Sequence, residues 1–336
     1  MAADTVHHGS GPFIIFREQR WRHSGLLGDG KSGIQRNPPR PKKKPLKTLV
    51  TILSAALLAA TSAGATDAPK VIDVKVTGHG QPVILIPGLA TPGAVWDATV
   101  KHLQDKYECH VVTIAGFGGM GPVKTEHLAD DVRDQVIAYA RAQKLEKPTI
   151  IGHSLGGTLA LAIGEQAPDL PGEIVSVDGL PFLAGVMMPG VTDVEGAKKG
   201  AAAMRQMMAG QTPQQFAEYQ RKVSIPSMVT RPEDVQRVAE MCGKSDGGTV
   251  AQAMSELLTS DLRPELSQIK CQILVLGALA GLLQLAPREV LEQNYKAQFT
   301  NAPQTRFEFF DKSKHFIMID DPAGFYAVLD KELAAH

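Results

Sequence analysis

Cysteine is scarce in this chain: three residues in 336, at Cys109, Cys242 and Cys271, with no Cys-x-x-Cys or mixed Cys/His spacing. That excludes a zinc-ribbon or disulfide-framework architecture. An odd count leaves at least one thiol over, and Cys109 and Cys271 open apolar strand-like runs where the plain reading is a small buried hydrophobe. No phosphate-cradling glycine loop, dinucleotide fingerprint or metal-ligand cluster appears, so no cofactor is expected. No apolar run reaches the ~20 residues that span a bilayer. A basic stripe able to grip nucleic acid is also missing.

The formal net charge of zero hides an uneven distribution. Residues 1–65 hold ten Lys/Arg and three Asp/Glu, which leaves 25 against 32, a net of −7, for residues 66–336. The N-terminal part reads as an address rather than a fold. Pro41-Lys42-Lys43-Lys44-Pro45-Leu46-Lys47 is a cationic segment, Leu49 to Ala60 is apolar, and Ala63-Gly64-Ala65 is a small-x-small cleavage site. Residues 41–65 are therefore expected to be a signal peptide, cleaved after Ala65 on export to the periplasm or medium, with no membrane anchor left behind. Residues 1–40 show no period and are expected to be a disordered extension. No methionine lies between Met1 and Met120, and translation is expected to start near residue 40 at a non-methionine codon.

What remains, 43% hydrophobic and 21% charged over the whole chain, has an ordinary globular composition. Val71–Val76 alternates like an edge strand. Pro82–Ile86, His110–Ile114, Thr149–Ile151, Glu173–Val177 and Cys271–Leu276 are short, apolar and β-branched, as buried parallel strands are. Helical patterns separate them, one carrying Trp96, Val100 and Leu103 and another Leu128, Val132, Val136 and Ala140. The alternation predicts a doubly wound, mostly parallel α/β sheet with crossover helices. From 184 to 262 strands vanish and methionines multiply: Met187, Met188, Met204, Met207, Met208, Met228, Met241 and Met254. Thr212-Pro213-Gln214-Gln215 is a capping box with proline at the first helical position. The expected organisation is a sheet core in two parts, 66–183 and 263–336, interrupted by a helical cap at 184–262. The cap methionines fit either core packing or the lining of a pocket for an apolar group.

In such sheets functional groups collect just past the carboxyl ends of the strands. Thr149-Ile150-Ile151-Gly152-His153-Ser154-Leu155-Gly156-Gly157 is a strand running into a Gly-x-Ser-x-Gly turn and then a helix, the pattern of a nucleophile elbow. An unassisted hydroxyl is a weak nucleophile, so Ser154 needs a base. Of the histidines at 79, 102, 110, 127, 153, 315 and 336, only His315 follows the last strand in a loop. His153 is expected to pack behind the elbow and His79 to sit at the opposite edge of the sheet. The loop after Leu276, Gly277-Ala278-Leu279-Ala280-Gly281, holds no carboxylate. Asp178, ending the preceding strand, is therefore the candidate to orient His315, although Asp-Gly alone would also suit a turn. The oxyanion donors are expected to be the backbone N–H groups of Leu155, at the helix start, and Leu89, in Pro87-Gly88-Leu89.

With Ile86-Pro87-Gly88-Leu89, Ala115-Gly116-Phe117-Gly118, the elbow and Lys314-His315-Phe316 in hand, the chain resembles an α/β-hydrolase of the esterase and lipase-like kind over residues 71–336. The family commonly has His-Gly where Pro87-Gly88 stands here. It often carries its acid after the penultimate strand, and some members place it one strand earlier, as at Asp178. The resemblance and the residues imply a serine hydrolase acting on small-molecule carboxylic esters with small or medium apolar acyl groups. Other readings are an exported aminopeptidase or amidase using cap carboxylates such as Glu195 or Glu218, an acyl-homoserine lactonase, and a non-catalytic binding module.

Overall fold

The computed structural model describes residues 69–334. The expected extension and signal peptide, and His336, lie outside the described residues. Seven strands form one sheet: β1 (Ile72–Gly78), β2 (Gln81–Ile86), β3 (Tyr107–Ile114), β4 (Thr149–His153), β5 (Glu173–Val177), β6 (Gln272–Ala278) and β7 (Thr305–Phe310). Their order is β1-β3-β2-β4-β5-β6-β7, with β1 antiparallel to β3 and every other neighbour pair parallel. β4 and β5 are buried along their whole length, and their centres, Ile150-Ile151 and Ile174-Val175, are apolar and β-branched as buried parallel strands are. β1 and β7 sit at the edges; exposure alternates with the pleat along β7 and along β1 as far as Lys75, after which Val76 is also exposed.

Around the sheet run α1 (Asp97–Leu103), α2 (Leu128–Ala142) and α3 (Leu155–Gln166), then α4 (Ala184–Met187), α5 (Val194–Ala209), α6 (Pro213–Tyr219), α7 (Ile225–Met228), α8 (Pro232–Cys242) and α9 (Gly247–Leu258), and finally α10 (Arg288–Ala297), α11 (Ile317–Asp320) and α12 (Pro322–Leu333). Two local outcomes differ from the periodicity. β3 starts three residues before His110, because Glu108 to His110 pair with Gly78 to Val76 of β1. Trp96 lies in a 3-10 turn, Gly93–Trp96, ahead of α1. The Gly93 N–H donates to Thr113 Oγ1 at 3.0 Å, and a Cβ at 93 would meet Thr113 and Val111 at 2.8 Å, so the turn lies directly on β3.

Register places the site. From β2 the chain leaves towards β3, and from β4 it leaves in the opposite direction towards β5, so the crevice between their ends is the topological switch point. Ile86 of β2 pairs with Gly152 of β4, His153 with Val177 of β5, and Val177 with Leu276 of β6. The turns holding Leu89, Ser154 and Asp178 and the end of β6 at Ala278 therefore lie side by side.

Between β5 and β6 the chain is helical, α4 to α9 with a π-helical turn at Gln220–Ser224. The capping box closes as expected: Thr212 Oγ1 accepts from Gln215 N–H, and Gln215 Oε1 accepts from Thr212 N–H. This insertion is tied to the core. The Glu256 carboxylate on α9 accepts from Leu128 N–H and Ala129 N–H, capping α2 from outside its own sequence. Among the methionines, Met208 is buried, Met204, Met228, Met241 and Met254 pack half-buried on the core, and Met187 and Met207 face solvent. Core packing accounts for most of them.

Candidate active site

Ser154 stands between β4 and α3 at φ 53°, ψ −117°, a left-handed conformation rare for a residue with a Cβ. Two features hold it there. Its N–H donates to Val177 O at 2.9 Å. The flanking glycines let strand and helix touch: a Cβ at Gly152 would fall 2.0 Å from Gly156 O, and one at Gly156 would fall 2.3 Å from Ile86 O. The strain is thus sustained by packing rather than relieved by sequence, as is typical of functional turns.

Asp178, at φ 52°, leaves β5 beside the serine, its N–H donating to Leu276 O at 2.8 Å. Its carboxylate has three partners. His315 Nδ1 lies 2.6 Å from Oδ2, Tyr295 Oη donates to Oδ1 at 2.6 Å, and Ala278 N–H donates to Oδ1 at 3.0 Å. The last residue of β6, in the segment where sequence offered no acid, contributes a backbone donor to the carboxylate after the neighbouring strand. Burial first, and the Asp178 charge second, push the Tyr295 hydroxyl well above its usual range, so it remains a donor. Gly277 makes room for this arrangement, since a Cβ there would meet the Phe309 ring at 2.7 Å and the Tyr295 ring at 3.2 Å. With Oδ2 as acceptor, the His315 Nδ1 carries the proton and Nε2 is left as the free base.

His315 sits in the loop between β7 and α11, one quarter of its side chain exposed. The insertion braces this loop. Lys314 Nζ donates to Pro226 O at 3.0 Å and Val229 O at 3.3 Å, and Phe316 N–H donates to Met228 O at 3.3 Å. No hydrogen bond joins Ser154 Oγ to the His315 ring among the described residues, and such contacts often tighten only with substrate bound. The two residues are joined through His153. Its Nε2–H donates to the His315 carbonyl at 3.1 Å, and its ring lies 4.6 Å from that of His315 and 4.5 Å from that of Phe316. Complete burial, then the neighbouring His315, depress the His153 imidazole well below its usual range and keep it neutral.

The remaining expected participants are backbone groups. Leu155 is the first residue of α3, and Leu89 lies in the turn after β2. Neither N–H is consumed by a turn or cap bond among the described residues. The peptide carrying the Leu89 N–H is fixed from its other end: Gly88 O accepts from Thr91 Oγ1 at 2.8 Å and from Thr91 N–H at 3.2 Å. A peptide's C=O and N–H point in opposite directions, so this fork turns the Leu89 N–H away from Thr91. A Cβ at Gly88 would lie 3.2 Å from Ser154 Cβ, which puts the loop against the serine.

Other candidates are placed elsewhere. His79 is exposed between β1 and β2. His102 stacks on Tyr326 and pairs with Asp330, and His110 is buried against Tyr139. Glu195 and Glu218 are exposed and paired with Lys198 and Lys222 on their own helical segments. The residues that sequence reasoning missed are Tyr295, Thr91 and the Ala278 N–H. Tyr295 acts across the fold and Ala278 through its backbone, and Thr91 bonds Gly88 O three residues back without a motif that marks it.

A seven-stranded, mostly parallel sheet with an elbow serine and a His–Asp pair at its carboxyl edge defines a class, and residues 83–328 match the model of the alpha/beta hydrolase family. The chain belongs to that family, as an esterase-like member. A pimeloyl-[acyl-carrier protein] methyl ester esterase from Aeromonas hydrophila is 26% identical over 266 residues, spanning 77% of this chain and 98% of its own length. An esterase from Thermogutta terrifontis superposes with a TM-score of 0.65 at 20% identity, over 79% of this chain and 93% of its own. An enol-lactonase from Burkholderia xenovorans LB400 gives 0.63 at 16% identity, over 78% and 96%. These two structures share the fold.

Proposed function

We propose that the chain is a serine esterase that hydrolyses carboxylic esters of small or medium apolar acyl groups through an acyl-enzyme. The observation that carries this reading is the 2.6 Å His315–Asp178 contact beside a serine held in a left-handed turn. In the proposed reaction His315 Nε2 takes the Ser154 hydroxyl proton as Oγ bonds to the ester carbonyl carbon. The carbonyl oxygen becomes an alkoxide facing the Leu89 and Leu155 N–H groups. Asp178 stabilises the imidazolium. The carbon–oxygen bond to the alcohol then breaks, and His315 returns its proton to the departing oxygen. Water, deprotonated by His315, releases the acid by the reverse sequence and restores Ser154.

The likeness to the Aeromonas enzyme favours a second reading, the methyl ester of an acyl chain borne on a carrier protein. A panel of p-nitrophenyl acyl esters and methyl esters, free and carrier-bound, separates the two. In either case Ser154→Ala is expected to abolish turnover and labelling by a fluorophosphonate. Retention of both would rule out the serine mechanism, and a wild type that never labels would favour a binding module. We further propose, from sequence alone, that the enzyme is exported and cleaved after Ala65. Recovery of mature protein that begins ahead of Thr66 would end that reading.

A further inference from the structure

We infer that Ser245, contributed by the insertion, is a positioning residue that holds the oxyanion loop in its working shape. Ser245 lies between α8 and α9 and is 6% exposed. Its hydroxyl donates to Ala90 O at 2.8 Å and accepts from Gly118 N–H at 2.8 Å, across separations of 155 and 127 residues. Ala90 is buried and has φ 61°, so the loop is strained at the residue next to Leu89. The peptide after Ala90 supplies the Thr91 N–H that, with the Thr91 hydroxyl, holds Gly88 O. One hydroxyl from the insertion therefore fixes the Ala90–Thr91 peptide, Thr91 fixes the Gly88–Leu89 peptide, and that peptide aims the Leu89 N–H.

The same junction also grips the glycine turn after β3. The next residue, Asp246, donates its N–H to Gly116 O at 2.7 Å, and Asp246 Oδ1 caps α9 by accepting from Thr249 N–H. Gly118 is pressed against Pro92, where a Cβ would fall 2.3 Å away. The start of α9, the turn after β3 and the loop after β2 thus form one hydrogen-bonded unit. An insertion that covered the site without touching the oxyanion loop would not need Ser245 in this place. Here a shift of the α8–α9 junction must disturb the Leu89 donor.

This inference rests on Ser154 as nucleophile and Leu89 N–H as an oxyanion donor. The test compares the wild type with Ser245→Ala and Ser245→Thr on one p-nitrophenyl ester, together with binding of a trifluoromethyl ketone, which adds to a reactive serine as a tetrahedral alkoxide. Deleting an oxyanion donor outright costs ~10²–10³ in kcat, so misaiming one in Ser245→Ala is expected to lower kcat by roughly 10–100-fold. KM should stay within about twofold, the ketone should weaken by the same factor as kcat, and Ser245→Thr should recover most of both. Wild-type kcat and ketone affinity in a folded Ser245→Ala enzyme would overturn the inference. So would a loss of stability that leaves ketone affinity intact. If Ser245→Ala does not fold, Ser245→Cys, whose thiol is a weak donor, takes its place in the comparison, and the same two results would overturn the inference. Fluorophosphonate labelling of the wild type at Ser154, run in parallel, separates failure of this inference from failure of the serine mechanism.

Discussion

Replacing Asp178 by asparagine tests the centre of the proposed mechanism with almost no change of shape. Two donors converge on Oδ1, the Ala278 N–H and the Tyr295 hydroxyl. The amide NH2 of an asparagine cannot sit against a fixed backbone N–H, so it must turn towards His315. Nδ1 would then have to accept, the ring proton would move to Nε2, and the nitrogen that should take the Ser154 proton would already carry one. The charge is lost as well. Opposite charges with centres about 4 Å apart, in a partly buried site with an effective dielectric near 20, attract by ~4 kcal/mol. That is about three decades of rate, and the wrong tautomer extends it towards 10⁴ in kcat. Thermal unfolding should move little, since the amide keeps one strong contact on each side. Steady-state kinetics on a p-nitrophenyl ester, with circular dichroism as a check on folding, make the measurement. A folded variant within tenfold of the wild type would refute the reasoning, because the β6 loop from Gly277 to Gly281 has no other carboxylate to take over.

Two further perturbations address different parts of the chain. Gly88→Ala places a Cβ 2.7 Å from His153 Nδ1 and 3.2 Å from Ser154 Cβ, so the loop must retreat and withdraw the Leu89 N–H. A fall in kcat of about 10²-fold with little change in KM is expected, and an equal loss in both parameters would point instead to a collapsed binding site. Glu165 on α3 has a buried Oε1 with no hydrogen-bond partner among the described residues, and burial, with Glu265 second, pushes its carboxyl up to about 8. The folded state therefore holds this proton more tightly than the unfolded chain. The stability it contributes is complete below the ordinary glutamate range near 4.5 and is lost as pH rises towards 8. Glu165→Gln should match the wild type in unfolding temperature near pH 4.5, gain on it up to pH 8 and then hold a constant lead. Partial exposure limits that lead to about 1 kcal/mol, and parallel profiles across the range would contradict the assignment.

The sheet was legible in the sequence because strands buried on both faces carry short β-branched clusters, as Ile150-Ile151 in β4 and Ile174-Val175 in β5 do. Their order could not be read locally, since pairing joins residues far apart in the chain. The side chains of the candidate site were chosen through topology: Ser154, Asp178 and His315 each follow a strand that ends at one edge, and the structure brings Asp178 and His315 into contact. Asp178 was reached by the emptiness of the β6 loop, and the structure shows what fills that place, the Ala278 N–H pointing at Asp178. Tyr295 lies 117 residues from Asp178 and reads as an ordinary core position of an amphipathic helix. Thr91 and Ser245 read as loop residues. Backbone donors and single buried hydroxyls have no periodicity, so only the packed chain reveals them.

The backbone conformations explain why those hidden contacts are needed. Among the described residues five non-glycines have left-handed φ, and three of them, Ala90, Ser154 and Asp178, follow the carboxyl ends of β2, β4 and β5. Each such residue costs of order 1–3 kcal/mol and persists only where its surroundings impose it. The three are held by separate bonds: Ala90 O by the Ser245 hydroxyl, Ser154 N–H by Val177 O, and Asp178 N–H by Leu276 O. The last two follow from parallel register, so any sequence that forms β4, β5 and β6 in this alignment obtains them. The first comes from a helical junction far away in sequence. Two of the three strained turns are therefore fixed by the sheet itself, whereas the turn next to Leu89 depends on where the insertion sits. Movement of the insertion should act on the oxyanion side of the site before it reaches the serine or the acid.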